Sequence, residues 1–103
     1  MAKVRVGVLE DFPEGEVRVV FAESHRIAVG NVEGELYAFD DICTHDEGPL
    51  GDGELYEHQV ECPRHGARFD VRTGRAVRLP AVRGVSTYTV TLVGDEVFVE
   101  GAE

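Results

Sequence analysis

Apolar and polar residues alternate with a period of two along several short segments, and this pattern most constrains the fold. A β-strand places successive side chains on opposite faces of a sheet, so the alternation indicates strands with one buried face. The predicted strands are residues 4–9, 16–23, 26–31, 35–40, 59–62, 67–72, 76–79, 86–93 and 96–100. Turn-forming pairs such as Thr73-Gly74 and Gly94-Asp95 lie between them. The sequence therefore predicts an all-β fold, an antiparallel sandwich or small barrel.

The length and charge of the chain limit its class. Its 103 residues suffice for a single domain, predicted over 1–103, and are too few for two independent cores. The 20 Asp and Glu residues outnumber the 10 Lys and Arg residues, which disfavours nucleic-acid binding and favours a basic protein partner. No apolar run approaches the roughly 20 residues that cross a bilayer, and the N-terminus has no apolar signal-peptide core. We therefore expect a soluble cytoplasmic protein without membrane association.

One stretch, residues 41–57, interrupts the strand pattern and is predicted to be a long loop. It contains Gly48, Pro49, Gly51 and Gly53. Long loops in small domains usually carry function. The loop is also bracketed by two pairs of possible metal ligands, described next.

The first pair is Cys43-Thr44-His45, and the second, Cys62 and His65, belongs to the run Cys62-Pro63-Arg64-His65-Gly66. Thiolate and imidazole ligands suit either zinc or an iron–sulfur cluster. In a reducing compartment, two cysteines indicate metal or redox chemistry more often than a disulfide. Zinc fingers usually pair cysteine with cysteine and histidine with histidine, whereas each pair here mixes the two. A binuclear cluster with two distinct irons gives a reason for the mixing, because histidines replace cysteines on one iron of a Rieske centre.

The sequence resembles the soluble Rieske ferredoxins over roughly residues 4–100. The resemblance rests on the two ligand pairs and on flanking residues at Gly48, Leu50, Pro63, Gly66, Phe69-Asp70, Thr73-Gly74 and Leu79-Pro80-Ala81. It implies a Rieske-like β-sandwich or barrel with a small cluster-binding subdomain, roughly residues 41–81, that holds one [2Fe–2S] cluster per chain. By the same resemblance, Cys43 and Cys62 bind a buried iron, and His45 and His65 bind an outer, partly exposed iron. The resemblance also implies that Leu79-Pro80-Ala81 form a third loop that covers the cluster.

Departures from the high-potential members of that family predict a low reduction potential. Those proteins have an additional cysteine in each cluster loop, whereas this chain has only 2 cysteines, and Arg64 stands where one extra cysteine is expected. They also carry a serine and a tyrosine whose hydroxyls donate hydrogen bonds to the cluster sulfurs. Ala67 and Phe69 stand at the matching positions here. Fewer hydrogen bonds to the sulfurs stabilise the reduced cluster less, so we expect a potential in the negative part of the family range.

The resemblance implies a monomeric one-electron carrier between a flavin-dependent reductase and a terminal oxygenase, without catalytic activity of its own. Outside the motif only His25, predicted in a turn, and His58, predicted to begin a strand, remain, and both are expected to be solvated. Asp46 and Glu47 suggest a negative surface near the outer iron.

Two alternatives stay open at this level. One is a Rieske-type small subunit of a larger oxidoreductase, such as assimilatory nitrite reductase. The other is a zinc-stabilised binding module without a redox role.

Overall fold

The computed structural model describes residues 2–44 and 48–101. The strands within these ranges are β1 (Val4–Val8), β2 (Val17–Ala22), β3 (His25–Val32), β4 (Glu35–Asp40), β5 (Glu54–Tyr56), β6 (Gln59–Glu61), β7 (Arg68–Asp70), β8 (Ala76–Arg78), β9 (Thr87–Val93) and β10 (Glu96–Gly101). A short 3₁₀ helix spans Leu9–Asp11. Over the same ranges, no helix is long and apolar enough to cross a membrane.

The strands form two antiparallel sheets. The larger has six strands in the order β1-β10-β9-β4-β3-β2, and the smaller has four in the order β5-β6-β7-β8. The two edge strands of the larger sheet, β1 and β2, contact each other, so this sheet curls toward a barrel. The all-β prediction of a sandwich or small barrel is thereby confirmed.

Two groups of buried apolar side chains fill the interior. One group belongs to the larger sheet and comprises Phe12, Ala22, Ile27, Val29, Ala38, Val97 and Val99. The other brings together side chains of both sheets and of the loops between them, and comprises Val17, Ala28, Val32, Phe39, Cys43, Leu50, Val60, Cys62, Ala67, Phe69, Val71 and Ala81. Both cysteines therefore lie in the core that joins the two sheets.

The predicted strands all occur, with ends that shift by one or two residues, but the prediction for 41–57 is partly wrong. Strand β5 (Glu54–Tyr56) lies inside this predicted loop and pairs with β6. Leu55 is half-buried, and Gly53 and Glu57 on either side of this strand do not continue an alternation of apolar and polar residues. The 3₁₀ helix Leu9–Asp11 was also missed, because one turn leaves no periodic signal.

We predict different consequences for truncating two phenylalanines of the larger sheet. Phe39 on β4 is fully buried, whereas Phe21 on β2 is 69% exposed. Because Phe39→Ala leaves a cavity in the core that joins the sheets, it should lower the free energy of unfolding by about 3–5 kcal/mol. Phe21→Ala, the matched control, should cost less than about 1 kcal/mol. Urea unfolding followed by circular dichroism measures both, and equal losses would contradict this account of the core.

Candidate metal centre

Three loops meet at one end of the smaller sheet. The first loop runs from the end of β4 to β5 and carries Cys43, and the second joins β6 to β7 and carries Cys62. The third follows β8 and contains Ala81, which is buried with both cysteines in the core described above. The topology thus brings together segments that are far apart in the sequence.

An equivalent backbone hydrogen bond closes each of the first two loops. In each, the cysteine N–H donates to the carbonyl oxygen five residues further on, from Cys43 to Gly48 at 2.7 Å and from Cys62 to Ala67 at 2.7 Å. The second loop has another bond, from Gly66 N–H to the Cys62 carbonyl at 3.1 Å. Gly66 adopts a φ of 77°, a conformation that favours glycine. Two similar tight loops therefore present one cysteine each.

The cysteines and the histidine differ in their exposure to solvent. The Cys43 and Cys62 side chains are 0% and 1% exposed and pack with Leu50 and Phe69, whereas His65 is exposed. This distribution agrees with an inner pair of thiolates and an outer imidazole. His45, the remaining predicted ligand, lies outside the described residues, as do Asp46 and Glu47.

The third loop is tied to the first by a side chain. The Thr44 hydroxyl donates a hydrogen bond of 2.6 Å to the carbonyl oxygen of Arg83. The Leu79–Pro80 peptide bond is cis, and Ala81 is buried while Leu79 and Val82 are 72% and 81% exposed. The loop therefore turns one small residue inward and two large apolar side chains outward.

The two positions on which the predicted low potential depends lie in the same core as the cysteines. Ala67 and Phe69 are both fully buried in the core that contains Cys43 and Cys62. Neither side chain can donate a hydrogen bond, and the Thr44 hydroxyl is directed to the Arg83 carbonyl. The cysteine environment is therefore apolar at the two positions where the sequence predicted missing hydroxyls.

Polar contacts also lie just before the first loop. Tyr88 on β9 donates a hydrogen bond to the carboxylate of Asp40, the last residue of β4. Burial, and then this bond to a carboxylate, raise the pKa of the Tyr88 phenol. The Tyr88 ring also meets the ring of His25 edge-to-face, with centroids 6.2 Å apart.

The two histidines outside the motif are placed differently from the prediction. His25 begins β3 rather than lying in a turn, and His58 lies in the turn before β6 rather than beginning a strand. His25 is exposed as expected, whereas His58 is half-buried and packs edge-to-face on Tyr37, with centroids 5.7 Å apart.

The burial of the two cysteines and the exposure of the histidine suit an iron–sulfur cluster. Two thiols enclosed by apolar side chains suit iron, and an exposed imidazole suits an outer metal near the surface. Across 2–44 and 48–101, no three His, Cys, Asp or Glu side chains are grouped to hold a single metal ion. The full predicted set also requires His45, which is outside those ranges.

Comparison with known proteins identifies the class. The family of the Rieske [2Fe–2S] domain matches residues 2–89. The ferredoxin component of the naphthalene 1,2-dioxygenase system of Pseudomonas aeruginosa is 42% identical over 92 residues, 89% of this chain and 88% of that protein. The structure of the ferredoxin of carbazole 1,9a-dioxygenase from Nocardioides aromaticivorans IC177 superposes with a TM-score of 0.93, at 32% identity over 99% of this chain and 100% of that one. A further ferredoxin, solved in a complex of reduced oxygenase and oxidized ferredoxin in carbazole 1,9a-dioxygenase, has a TM-score of 0.90, at 31% identity over 98% and 96% of the two chains.

The chain belongs to the Rieske [2Fe–2S] family. Its cofactor is a [2Fe–2S] cluster, which confirms the predicted cofactor. Within the family it is a ferredoxin, an electron carrier rather than a catalytic component, as predicted. The alternative of a nitrite reductase subunit is not favoured, since these relatives are ferredoxin components.

Proposed function

We propose that this chain is a soluble, cytoplasmic, low-potential ferredoxin that takes single electrons from a flavin-dependent reductase to the terminal oxygenase of a ring-hydroxylating dioxygenase system. It acts as a monomer and docks transiently, through the subdomain of residues 41–81. The observation that carries the proposal is the placement of Cys43 and Cys62 inside an apolar core while His65 lies at the surface. The relatives that are ferredoxin components of dioxygenase systems support it.

The proposed ligand set is the one that the family resemblance implies, and the burial of the two cysteines supports it. Cys43 and Cys62 would hold the inner iron, and His45 and His65 would hold the outer iron. When bound, the cluster supplies reversible one-electron transfer. The apolar side chains around the thiols, such as Leu50 and Phe69, exclude water from the sulfur side. The exposed imidazole of His65 marks the side on which a partner can approach.

The surface beside these loops is suited to transient docking. Leu79 and Val82 of the third loop and Ile42 of the first are large apolar side chains that are 72%, 81% and 39% exposed. The two loops are joined by the bond from Thr44 to Arg83, and exposed apolar side chains on neighbouring loops can mark an interaction site. Electron-transfer encounters are typically small. We infer that the oxygenase covers these side chains when it accepts an electron. A similar ferredoxin solved in complex with an oxygenase supports this inference.

The second and third loops carry positive charge in a chain that is acidic as a whole. Six of the 10 cationic residues lie in the segment 62–93, where Asp70 is the only acidic residue. Arg64 and Arg83 are exposed and belong to the second and third loops. The acidity of the whole chain favours a basic partner. Arg64 and Arg83, in contrast, favour acidic groups on the partner where these two loops contact it.

Metal analysis tests the ligand set. The purified protein should contain iron and acid-labile sulfide near two each per chain, as expected for a [2Fe–2S] centre. Its dithionite-reduced form should have a lower average g value by electron paramagnetic resonance (EPR) than an all-cysteine cluster. Cys43→Ser, Cys62→Ser and His65→Ala should each lose most of the iron, whereas His58→Ala, the control, should retain it. A colourless protein with one zinc would contradict the proposal.

Potentiometry tests the low potential. We expect a negative value within the family range of roughly −150 to +300 mV. Ala67→Ser adds a hydroxyl beside the cysteines and should raise the potential by tens of mV, up to about 60 mV for a bond of about 1.4 kcal/mol in a one-electron couple. Ala38→Ser places the same hydroxyl in the other core and should leave the potential unchanged. A wild-type value above about +100 mV would refute a low-potential carrier.

A binding experiment tests the function and the docking surface together. The reduced protein should capture an oxygenase from its native cell, and mixing the two should oxidise the ferredoxin. Leu79→Glu should weaken that binding at least about tenfold, because it places a charge in an apolar contact. Leu92→Glu changes a leucine that is 47% exposed on β9 and should bind normally. Failure of the two variants to differ would rule out this surface, and failure to reduce any oxygenase would rule out the function.

A further inference from the structure

The two cysteine loops differ in the contacts that hold their first and last residues together. The second loop joins β6 and β7, which are neighbours in the smaller sheet, and Glu61 pairs with Arg68 at its base. The first loop leaves β4 in the larger sheet and enters β5 in the smaller one. Among the strands that the structure describes, β4 and β5 are not paired, so no strand ladder closes the first loop.

The side chain of Asp41 closes it instead. This residue follows β4 directly, and its carboxylate accepts a hydrogen bond of 2.5 Å from the backbone N–H of Gly51, at the far end of the loop. The other carboxylate oxygen accepts a bond of 2.6 Å from the guanidinium of Arg26, and the Asp41 N–H donates to the Arg26 carbonyl at 3.1 Å. The carboxylate is fully buried, so these bonds are protected from water.

Residue 51 must be small for this contact to form. A Cβ built on Gly51 would lie 2.2 Å from Val19 Cγ2 and 3.0 Å from the Asp41 carboxylate. Glycine therefore lets the backbone N–H approach the carboxylate closely.

Two hydrogen bonds thus span the loop, one inside the other. The outer bond joins Asp41 to Gly51, and the inner one joins Cys43 to Gly48. Cys43 is two residues from Asp41, within about 7 Å along the chain. The outer bond is therefore close enough to the cysteine to affect its position. Arg26, at 56% side-chain exposure, compensates the buried charge of the carboxylate.

We propose that Asp41 is a positioning residue for the cluster: its carboxylate closes the base of the first loop and thereby sets where the Cys43 thiolate meets the inner iron. The inference rests on the proposed ligand set, in which Cys43 is a ligand. It adds that the acceptor geometry of residue 41 controls both the retention of the cluster and its electronic structure. Groups that orient metal ligands commonly have effects of this kind.

Three substitutions at position 41 separate geometry from charge. Asp41→Asn keeps an acceptor oxygen for the Gly51 N–H, and its EPR g values and rate of cluster release to a chelator should stay within about twofold of wild type. Asp41→Ala removes the acceptor and should shift the g values and speed release about tenfold or more. Asp41→Glu keeps the charge but displaces the acceptor by one methylene, so it should shift the g values even if the alanine variant does not fold.

Asn31→Ala is the matched control for a general loss of stability. Asn31 is also buried, donates to the Phe12 carbonyl at 2.7 Å, and accepts from the Gly34 N–H at 2.8 Å, but it lies on β3 outside the cysteine loops. This variant should unfold more easily while its g values and release rate stay unchanged. If its g values shifted like those of the Asp41 variants, the positioning role would be refuted.

The remaining outcomes also decide the question. Asp41→Ala or Asp41→Glu with wild-type g values and release rate would overturn the proposal, as would an asparagine variant that behaves like the alanine variant. These results differ from a failure of the proposed function. In that case, the wild-type protein itself would lack a mixed cysteine–histidine cluster.

Discussion

Burial of two thiols among apolar side chains is the constraint on which the rest of the structure depends. Cys43 comes from the loop that connects the two sheets and Cys62 from a loop of the smaller sheet, and both lie in the core that joins the sheets. A site of this kind cannot form unless both sheets and all three loops are in place. The same packing keeps water from the sulfur side and leaves His65 at the surface. In the proposed function, the fold, the retention of the cluster and the side from which the electron leaves all depend on this one arrangement.

Much of this arrangement is predictable from the sequence. The alternating pattern predicts nearly every strand, including the three-residue strands β6, β7 and β8, because the alternation of apolar and polar residues continues beyond their ends. Strand β5 (Glu54–Tyr56) was missed because Gly53 and Glu57, on either side of it, do not continue the alternation around Leu55. The cysteine and histidine spacing, together with the flanking residues, was sufficient to name the family.

The contacts that position the site were much less predictable. Asp41 and Gly51 are ten residues apart, and no local pattern indicates that one bonds to the other. The same holds for Thr44 and Arg83, whose link depends on how the third loop folds over the first. A short acidic residue directly after a strand and close to a proposed ligand is the signal that could have directed attention to Asp41. Long-range side-chain-to-backbone bonds of this type require the tertiary structure.

The central claim is that two histidines and two buried cysteines share one cluster, and pulsed EPR of the reduced protein tests it most directly. The protein would be produced with isotopically labelled histidine, so that nitrogen couplings to the electron spin can be assigned to imidazole. The account predicts two coupled histidine nitrogens in the wild type and one in His65→Cys, if that variant keeps its cluster. A reduced cluster without histidine nitrogen coupling would contradict it.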